Sequence, residues 1–175
     1  MSQSVKTTES GEIRGFDAGK KINGRKRNIV VDTLGLMVGL VIHSAGIQDR
    51  DGAPDVLKTI VKRWPWLRHI FADGGYAGSM FKGRLEKVGK FTLEIVKRSD
   101  HAEGFELLPR RWVVERTFAW LGRCRRLAND FEKTIASSEA NNRSRASFDI
   151  NALRGCSAIS NSIRLSLRAI RSALR

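Results

Sequence analysis

The chain has 175 residues, room for one domain and little more. Lys and Arg number 32 against 18 Asp and Glu, a formal charge of +14, and 41% of residues are hydrophobic, which excludes an acidic protein and full disorder. The longest apolar run, Leu36 to Ile42, is far short of the ~18 residues of a membrane span.

Residues 1–27 are polar and glycine-bearing, with Lys20, Lys21, Arg25, Lys26 and Arg27 as a dense basic stretch, and read as a loop or the arm of an edge hairpin. Ile29 to Val31 and Leu36 to His43 are short apolar runs around the turn signal Asp32-Thr-Leu-Gly35, a β-hairpin whose near-continuous runs predict cover on both faces. Asp51 to Pro54 reads as a helix start, Val56, Leu57, Ile60 and Val61 as its buried stripe, and Pro65 as its end. Residues 68–72 form a strand running into Asp73-Gly-Gly-Tyr76, 77–88 a helix, and 91–96 another strand. A polar loop over 98–109 then leads to a long helix from Arg110 to about Phe131, with Val114, Phe118 and Leu121 as its stripe. The order predicts an α/β fold, a mixed sheet flanked by helices. After about Ser137 the composition shifts to Ser, Asn and Arg without Lys. We therefore expect a core over 1–138 and a divergent basic tail over 139–175, disordered or helical, with a further stripe at Ile159, Ile163, Leu167, Ile170 and Leu174.

Two segments carry candidate chemistry. Asp73 stands where a buried strand runs out into glycines, the place where open α/β sheets hold ligands, and equally a place where Asp serves a turn. In the helix at Arg110, taking 100° per residue with Val114 at zero, Phe118 lies near 40°, Leu121 near 340° and Glu115 near 100°. Glu115 thus borders the buried stripe, and could lean toward Asp73 or pair with Arg111 one turn back. Gly122, near 80°, predicts a close backbone approach on the same side. Cys124 and Cys156 make neither a disulfide framework nor a zinc site, and no signal peptide opens the chain, so we expect a soluble cytoplasmic protein.

Seven motifs in order resemble one family. Ser2-Gln-Ser-Val-Lys-Thr7, Arg14-Gly-Phe-Asp-Ala-Gly-Lys-Lys21, Gly24-Arg-Lys-Arg27 and Val31-Asp-Thr-Leu-Gly35 are similar to DDE-class insertion-sequence transposases. So are Gln48-Asp-Arg-Asp-Gly52, Ala72-Asp-Gly-Gly-Tyr-Ala-Gly78 and Pro109-Arg-Arg-Trp-Val-Val-Glu-Arg-Thr-Phe-Ala-Trp-Leu121. The resemblance runs over about residues 2–139 and is closest to the five group of the four/five superfamily.

It implies a ribonuclease-H-like catalytic core and two Mg²⁺ or Mn²⁺ ions held by Asp, Asp and Glu. It also implies DNA cleavage at insertion-sequence ends followed by strand transfer. Hard oxygen ligands suit such ions, and two metals about 3.5–4 Å apart stabilise an in-line phosphoryl displacement. Asp73 matches the second carboxylate and Glu115 the third, as catalytic and metal-binding residues. Arg111 matches the family's Tyr-Arg-Glu-Lys signature, whereas Leu108 and Gly122 stand at its Tyr and Lys positions. The first carboxylate directly precedes Ser-Gln-Ser-Val-Lys-Thr in the family, and here that position is Met1. The expectation is a core lacking its first central strand and weak or absent activity for this chain alone. A remnant, a non-catalytic basic DNA-binding fragment and the downstream frame of a two-frame transposase, partnered by an upstream-frame product, all stay open. Expected phosphate contacts are Lys6, Lys20, Lys21, Arg25, Lys26, Arg27, Arg110, Arg111, Arg116, Arg123 and Arg126, on transposon-end and target DNA. A homo-oligomer and a nucleoid location in a bacterial cytoplasm are expected with them.

Overall fold

A computed structural model describes residues 1–9, 11–96 and 109–154, with side chains described for all but Pro109 and 147–154. The strands are β1 (Ser2–Lys6), β2 (Gly15–Asp17), β3 (Ile22–Val31), β4 (Met37–Ser44), β5 (His69–Asp73) and β6 (Thr92–Val96). The helices are α1 (Asp49–Arg63), α2 (Ser79–Glu86), α3 (Pro109–Arg123), α4 (Arg125–Ala128) and α5 (Ile135–Arg154). The α/β reading holds. Rather than one mixed sheet, the described residues form a four-stranded antiparallel sheet and a parallel β5–β6 pair, with no ladder between them.

β3 organises the larger sheet. It pairs with β1 from Gly24 to Asn28, with β4 from Arg25 to Val31, and with β2 from Ile22 to Gly24. The N-terminal segment expected as a loop or hairpin arm therefore contributes two strands. Alternating residues of the expected hairpin supply both faces. Val30, Val38 and Val41 pack with Val56, Leu57 and Ile60 of α1, while Ile29, Leu40 and Ile42 pack with Phe118 and Leu121 of α3. Full burial of each such side chain contributes about 1.5–3 kcal/mol. Helix α1 meets the sheet at glycines, because a β-carbon on Gly39 would fall 2.5 Å from Ile60 Cδ1, and one on Gly52 2.2 Å from His43 Nε2. At the β3–β4 turn, Asp32 Oδ1 accepts from the backbone N–H groups of Leu34 and Leu36, as its turn role predicts.

The long helix expected from Arg110 to Phe131 breaks at Cys124, whose backbone is extended. Leu121 and Leu127 are both 1% exposed in one cluster. On a straight helix their directions would differ by about 120°, and the break lets both face inward. Gly122 makes no close approach, since an added β-carbon would meet nothing within 4 Å. The expected boundary after residue 138 falls inside α5. Beyond it, Glu139 accepts from the Ile42 N–H, Arg143 donates to the Leu40 carbonyl, and Asn142 is buried. The stripe from Ile159 onward and the loop over 98–108 lie outside the described residues.

The basic run in β3 is the main surprise. Arg25, Lys26 and Arg27 are 0%, 4% and 1% exposed. Arg25 donates to Asp130 Oδ2 (3.2 Å) and to the carbonyls of Ile13, Glu132 and Lys133 at 2.7–2.8 Å. Among the described residues Arg27 has one hydrogen-bond partner, the Leu127 carbonyl at 2.8 Å, and its Nε and Nη2 have none. Burial pushes the Arg27 guanidinium down to about 10, against the opposing pull of Asp130. On the opposite face, Lys26 pairs with Asp49 (2.8 Å) and Asp17 (3.4 Å) and donates to the Ile47 carbonyl. The Ser4 hydroxyl donates to Asp17 at 2.6 Å, and this bond, together with Lys26, holds the Asp17 carboxyl down at about 2.

Two stability measurements follow from these pairs. Arg25→Met should cost about 3–5 kcal/mol by urea denaturation, because it strands Asp130 in the interior. Arg27→Met should be neutral or stabilising, since it replaces a half-satisfied buried charge with apolar volume. Asp17 titrates near 2 when folded and near 3.8 otherwise, so its contribution is complete above about pH 4 and lost as pH falls through 2. Melting temperatures of Asp17→Asn and the parent should therefore differ at neutral pH and converge as pH falls toward 2.

Candidate active site

Asp73 closes β5. It caps the 3₁₀ turn Gly74–Tyr76, with Oδ1 accepting from the Gly75 N–H at 3.0 Å. The turn role of this residue is thus realised, at the end of the expected strand. Oδ2 has no hydrogen-bond donor among the described residues. Residues alternate along β5, so Ile70 and Ala72 join the α1–α2 core while Phe71 shares the other face with Asp73. Arg110, in the first turn of α3, lies 3.6 Å above the Phe71 ring. The first turn of α3 is thereby anchored on the strand face that carries Asp73.

Glu115 lies one turn and a half further along α3. It pairs with Arg111 at 2.8 Å, both side chains about half exposed, and no hydrogen bond links it to Asp73. Its place beside the stripe is as expected, since Val114 packs on the cluster of buried Phe118 and Leu121. Its direction is that of the local ion pair. Two further contacts dock α3 on the β3–β4 turn. Thr117 donates to the Gly35 carbonyl at 2.9 Å, and Arg116 donates to the Leu34 carbonyl at 2.8 Å while lying 4.7–4.8 Å over both Trp112 and Trp120.

Met1 is the third part of the site. Its backbone pairs with Ile29, its side chain packs on the cluster that includes Val114 and Phe118, and its buried amino group feels the charges of Asp73 and Asp49. Burial pushes that amino group down, against the pull of the two carboxylates. The position directly before Ser2 thus packs on the cluster shared by β3, β4 and α3, with the charges of Asp73 and Asp49 acting on its amino group. Asp49, the first residue of α1, also enters this neighbourhood. Burial, the largest single influence, raises its carboxyl, but the hydrogen bonds from Lys26 and Ser2 and the charges of Lys26 and Lys20 together hold it below the usual range. Buried Tyr76 is pushed up by desolvation and by the charges of Asp49 and Asp73. No motif match assigns Asp49 a role from the sequence; that its charge, with that of Asp73, acts on Met1 and Tyr76 arises only from tertiary packing.

A two-metal cage does not fit these residues as they stand. Asp73 offers a free carboxylate oxygen, but Glu115 is engaged by Arg111, and the described residues contain no group of three His, Cys, Asp or Glu close enough to hold an ion. Nor do all the expected phosphate contacts face outward. Arg25, Lys26 and Arg27 are buried: Arg25 and Lys26 spend donors on Asp130, Asp17, Asp49 and backbone carbonyls, and Arg27 points inward with one bond to the Leu127 carbonyl. Arg116 is half-buried and committed to Leu34 and two tryptophans. Lys6, Lys20, Lys21, Arg110, Arg111, Arg123 and Arg126 are exposed, with Arg111 and Arg126 paired to Glu115 and Glu132.

Comparison with known proteins bears on this arrangement. The family described as "Transposase DDE domain" matches residues 2–142. The chain is 31% identical over 117 residues to a protein of Burkholderia cepacia named "Putative transposase for insertion sequence element IS402". That match covers 63% of this chain and 54% of the relative, so the chain spans about half the length of the curated relative it matches. No solved structure matches. No helix among the described residues is long and apolar enough to cross a membrane. With its Asp73 strand end and its α3 segment both inside the matched region, the chain belongs to the transposase DDE domain family.

Proposed function

We propose that this chain is the ribonuclease-H-like catalytic domain of an insertion-sequence transposase, acting on DNA by cleavage at element ends and strand transfer. Asp73 and Glu115 are two of its three metal-binding carboxylates. The observation that carries the reading is the convergence at position 1. The residue directly before Ser2 packs on the same cluster as Val114, the neighbour of Glu115, and its amino group feels the charge of Asp73. A carboxylate at that position would join Asp73 without any change of fold. Mg²⁺ or Mn²⁺ held by these carboxylates would supply charge neutralisation for phosphoryl transfer.

The chain's own residues have two tasks before that chemistry. Asp73 must keep its carboxylate at the strand end, which the Gly75 N–H secures through one oxygen while leaving the other open. Glu115, to serve as a metal-holding carboxylate, would have to be free of its pair with Arg111. Surface ion pairs of this kind contribute less than about 1 kcal/mol, so release is inexpensive. With Met1 rather than Asp before Ser2, the site holds two of its three carboxylates. An upstream segment encoding an Asp there would complete it. The second reading, a DNA-binding fragment without catalysis, draws on the Glu115–Arg111 pair and the lack of a three-ligand group among the described residues.

Insertion of Asp between Met1 and Ser2 tests the proposal. Calorimetric Mn²⁺ titration should show tighter binding than in the parent, and nicking of DNA bearing element ends should become metal-dependent where the parent nicks weakly or not at all. In that background Asp73→Asn or Glu115→Gln should lower nicking by about 100-fold or more, the scale of several kcal/mol of lost charge stabilisation. Metal-dependent nicking that survives Asp73→Asn overturns the catalytic reading. Robust nicking by the parent overturns the assignment of position 1. If neither protein nicks DNA but both bind it, the second reading stands.

A further inference from the structure

We propose that the groove between α1 and α2 is a second track for the phosphate backbone of duplex DNA, on the face of the β5–β6 pair opposite Arg110 and α3. The proposal rests on the reading of DNA as the partner, but not on catalysis. The groove has a volume of about 650 Å³, and Val61 and Val88 contribute to its lining. Lys58 and Lys62 line it from α1, Arg84 and Lys87 from α2 and its C-cap. Its two acids are already engaged, Asp55 by Lys58 at 2.9 Å and Asp51 by Arg84. Lys62 and Lys87 have no acidic partner among the described residues, so the groove presents an uncompensated charge of about +2. Arg63, Lys82 and Lys90, all exposed, extend the basic surface along the same two helices and the turn after α2.

The location follows from strand alternation. Ile70 and Ala72 of β5 pack toward the core of α1 and α2, whereas Phe71, two residues before Asp73, lies under Arg110. A polyanion on α1–α2 is therefore separated from the candidate active site by the thickness of the sheet.

The chemistry favours a polymer over a small anion. Every cation lining the groove is exposed, and no buried donor converges on one point. A single phosphate held by such groups would be bound no better than a counterion. A duplex is different, because each cation that neutralises a backbone phosphate releases a condensed counterion, and many weak contacts add. Lys58 and Lys62, four residues apart, lie about 6 Å apart along the axis of α1, comparable to two phosphate repeats of one DNA strand at about 3.4 Å each. Nothing in such a groove reads bases, so the contact is sequence-independent.

The test is equilibrium binding of the full chain to a labelled duplex of arbitrary sequence, measured by fluorescence anisotropy at several salt concentrations. The double variant Lys62→Gln, Lys87→Gln should bind on the order of 10–100-fold more weakly at 0.1 M salt. Its slope of log affinity against log salt should be shallower by about 1.8, at 0.9 per lost phosphate contact. Lys62→Arg, Lys87→Arg should retain parental affinity, and unchanged melting of both variants separates lost contacts from lost folding. As a second readout, DNA should protect Lys62 and Lys87 from acetylation. Parental affinity and slope in the Gln variant, or protection of Lys20 and Lys21 with none at Lys62 and Lys87, overturns the proposal. So does a loss confined to single-stranded RNA. Absence of nicking even with Asp inserted before Ser2, beside lost binding in the Gln variant, refutes the catalytic reading alone, whereas unaltered binding in the Gln variant beside metal-dependent nicking by the Asp-inserted chain refutes the groove alone.

Discussion

The ion pair between Arg25 and Asp130 is the constraint on which the remaining structure depends. Asp130 touches almost every layer. Its N–H donates to the Lys6 carbonyl, its Oδ1 accepts from the Glu132 N–H, and its Oδ2 accepts from both Arg25 and the Ser138 hydroxyl. Through these bonds the edge of β1, the middle of β3, the approach to α5 and its first turn are held together. A buried guanidinium is tolerable only when its donors are filled, and Arg25 fills its Nε, Nη1 and Nη2. Arg27, two residues on and nearly as buried, does not. Neighbouring arginines on one strand face thus hold opposite positions, one a structural node and the other a residue with unmet donors.

That distinction changes what the net charge means. A basic stretch in a sequence with excess Lys and Arg is naturally taken as a DNA-facing surface. Here the end of the stretch, Arg25 to Arg27, is interior, and two of these cations, Arg25 and Lys26, are neutralised by acids from other elements of the chain. The partner that makes Arg25 a core residue is 105 positions away. No local pattern encodes such a pairing, because hydropathy assigns every Arg to solvent and only tertiary packing reverses it. Asp17 and Asp49 could be given no role from the sequence for the same reason, since their partner Lys26 comes from a different element.

Elements governed by local rules were legible. The hairpin around Asp32, helix α1 and its stripe, β5 with Asp73 at its end, α2 and β6 all follow from periodicity and turn chemistry within windows of fewer than twenty residues. The Val114–Phe118–Leu121 stripe did as well, and with it the border position of Glu115. What was not legible needed non-local information. β1 and β2 are polar short strands that exist because β3 offers them an edge, and the break at Cys124 exists because Leu121 and Leu127 must reach one cluster. The direction of Glu115 lies between these cases. Spacing places it correctly on the helix, but whether it turns to Arg111 or toward the strand end depends on the charge that Asp73 and position 1 present to it.

The division of cations between interior and surface also separates folding from binding by salt. At physiological ionic strength charges are screened beyond about 8 Å of water, and exposed pairs such as Arg111–Glu115 weaken further as salt rises. The Arg25–Asp130 contact, with both side chains essentially inaccessible, is screened far less. Raising salt therefore loosens Glu115 from Arg111 and strips polyanions from exposed lysines while leaving the β3 node in place. A protein that spent its whole basic excess on its surface would confound weaker DNA binding with changes in its own stability. This one carries the charge that holds its sheets together where solvent ions do not reach, and the charge available to a nucleic acid on the helices and turns around them.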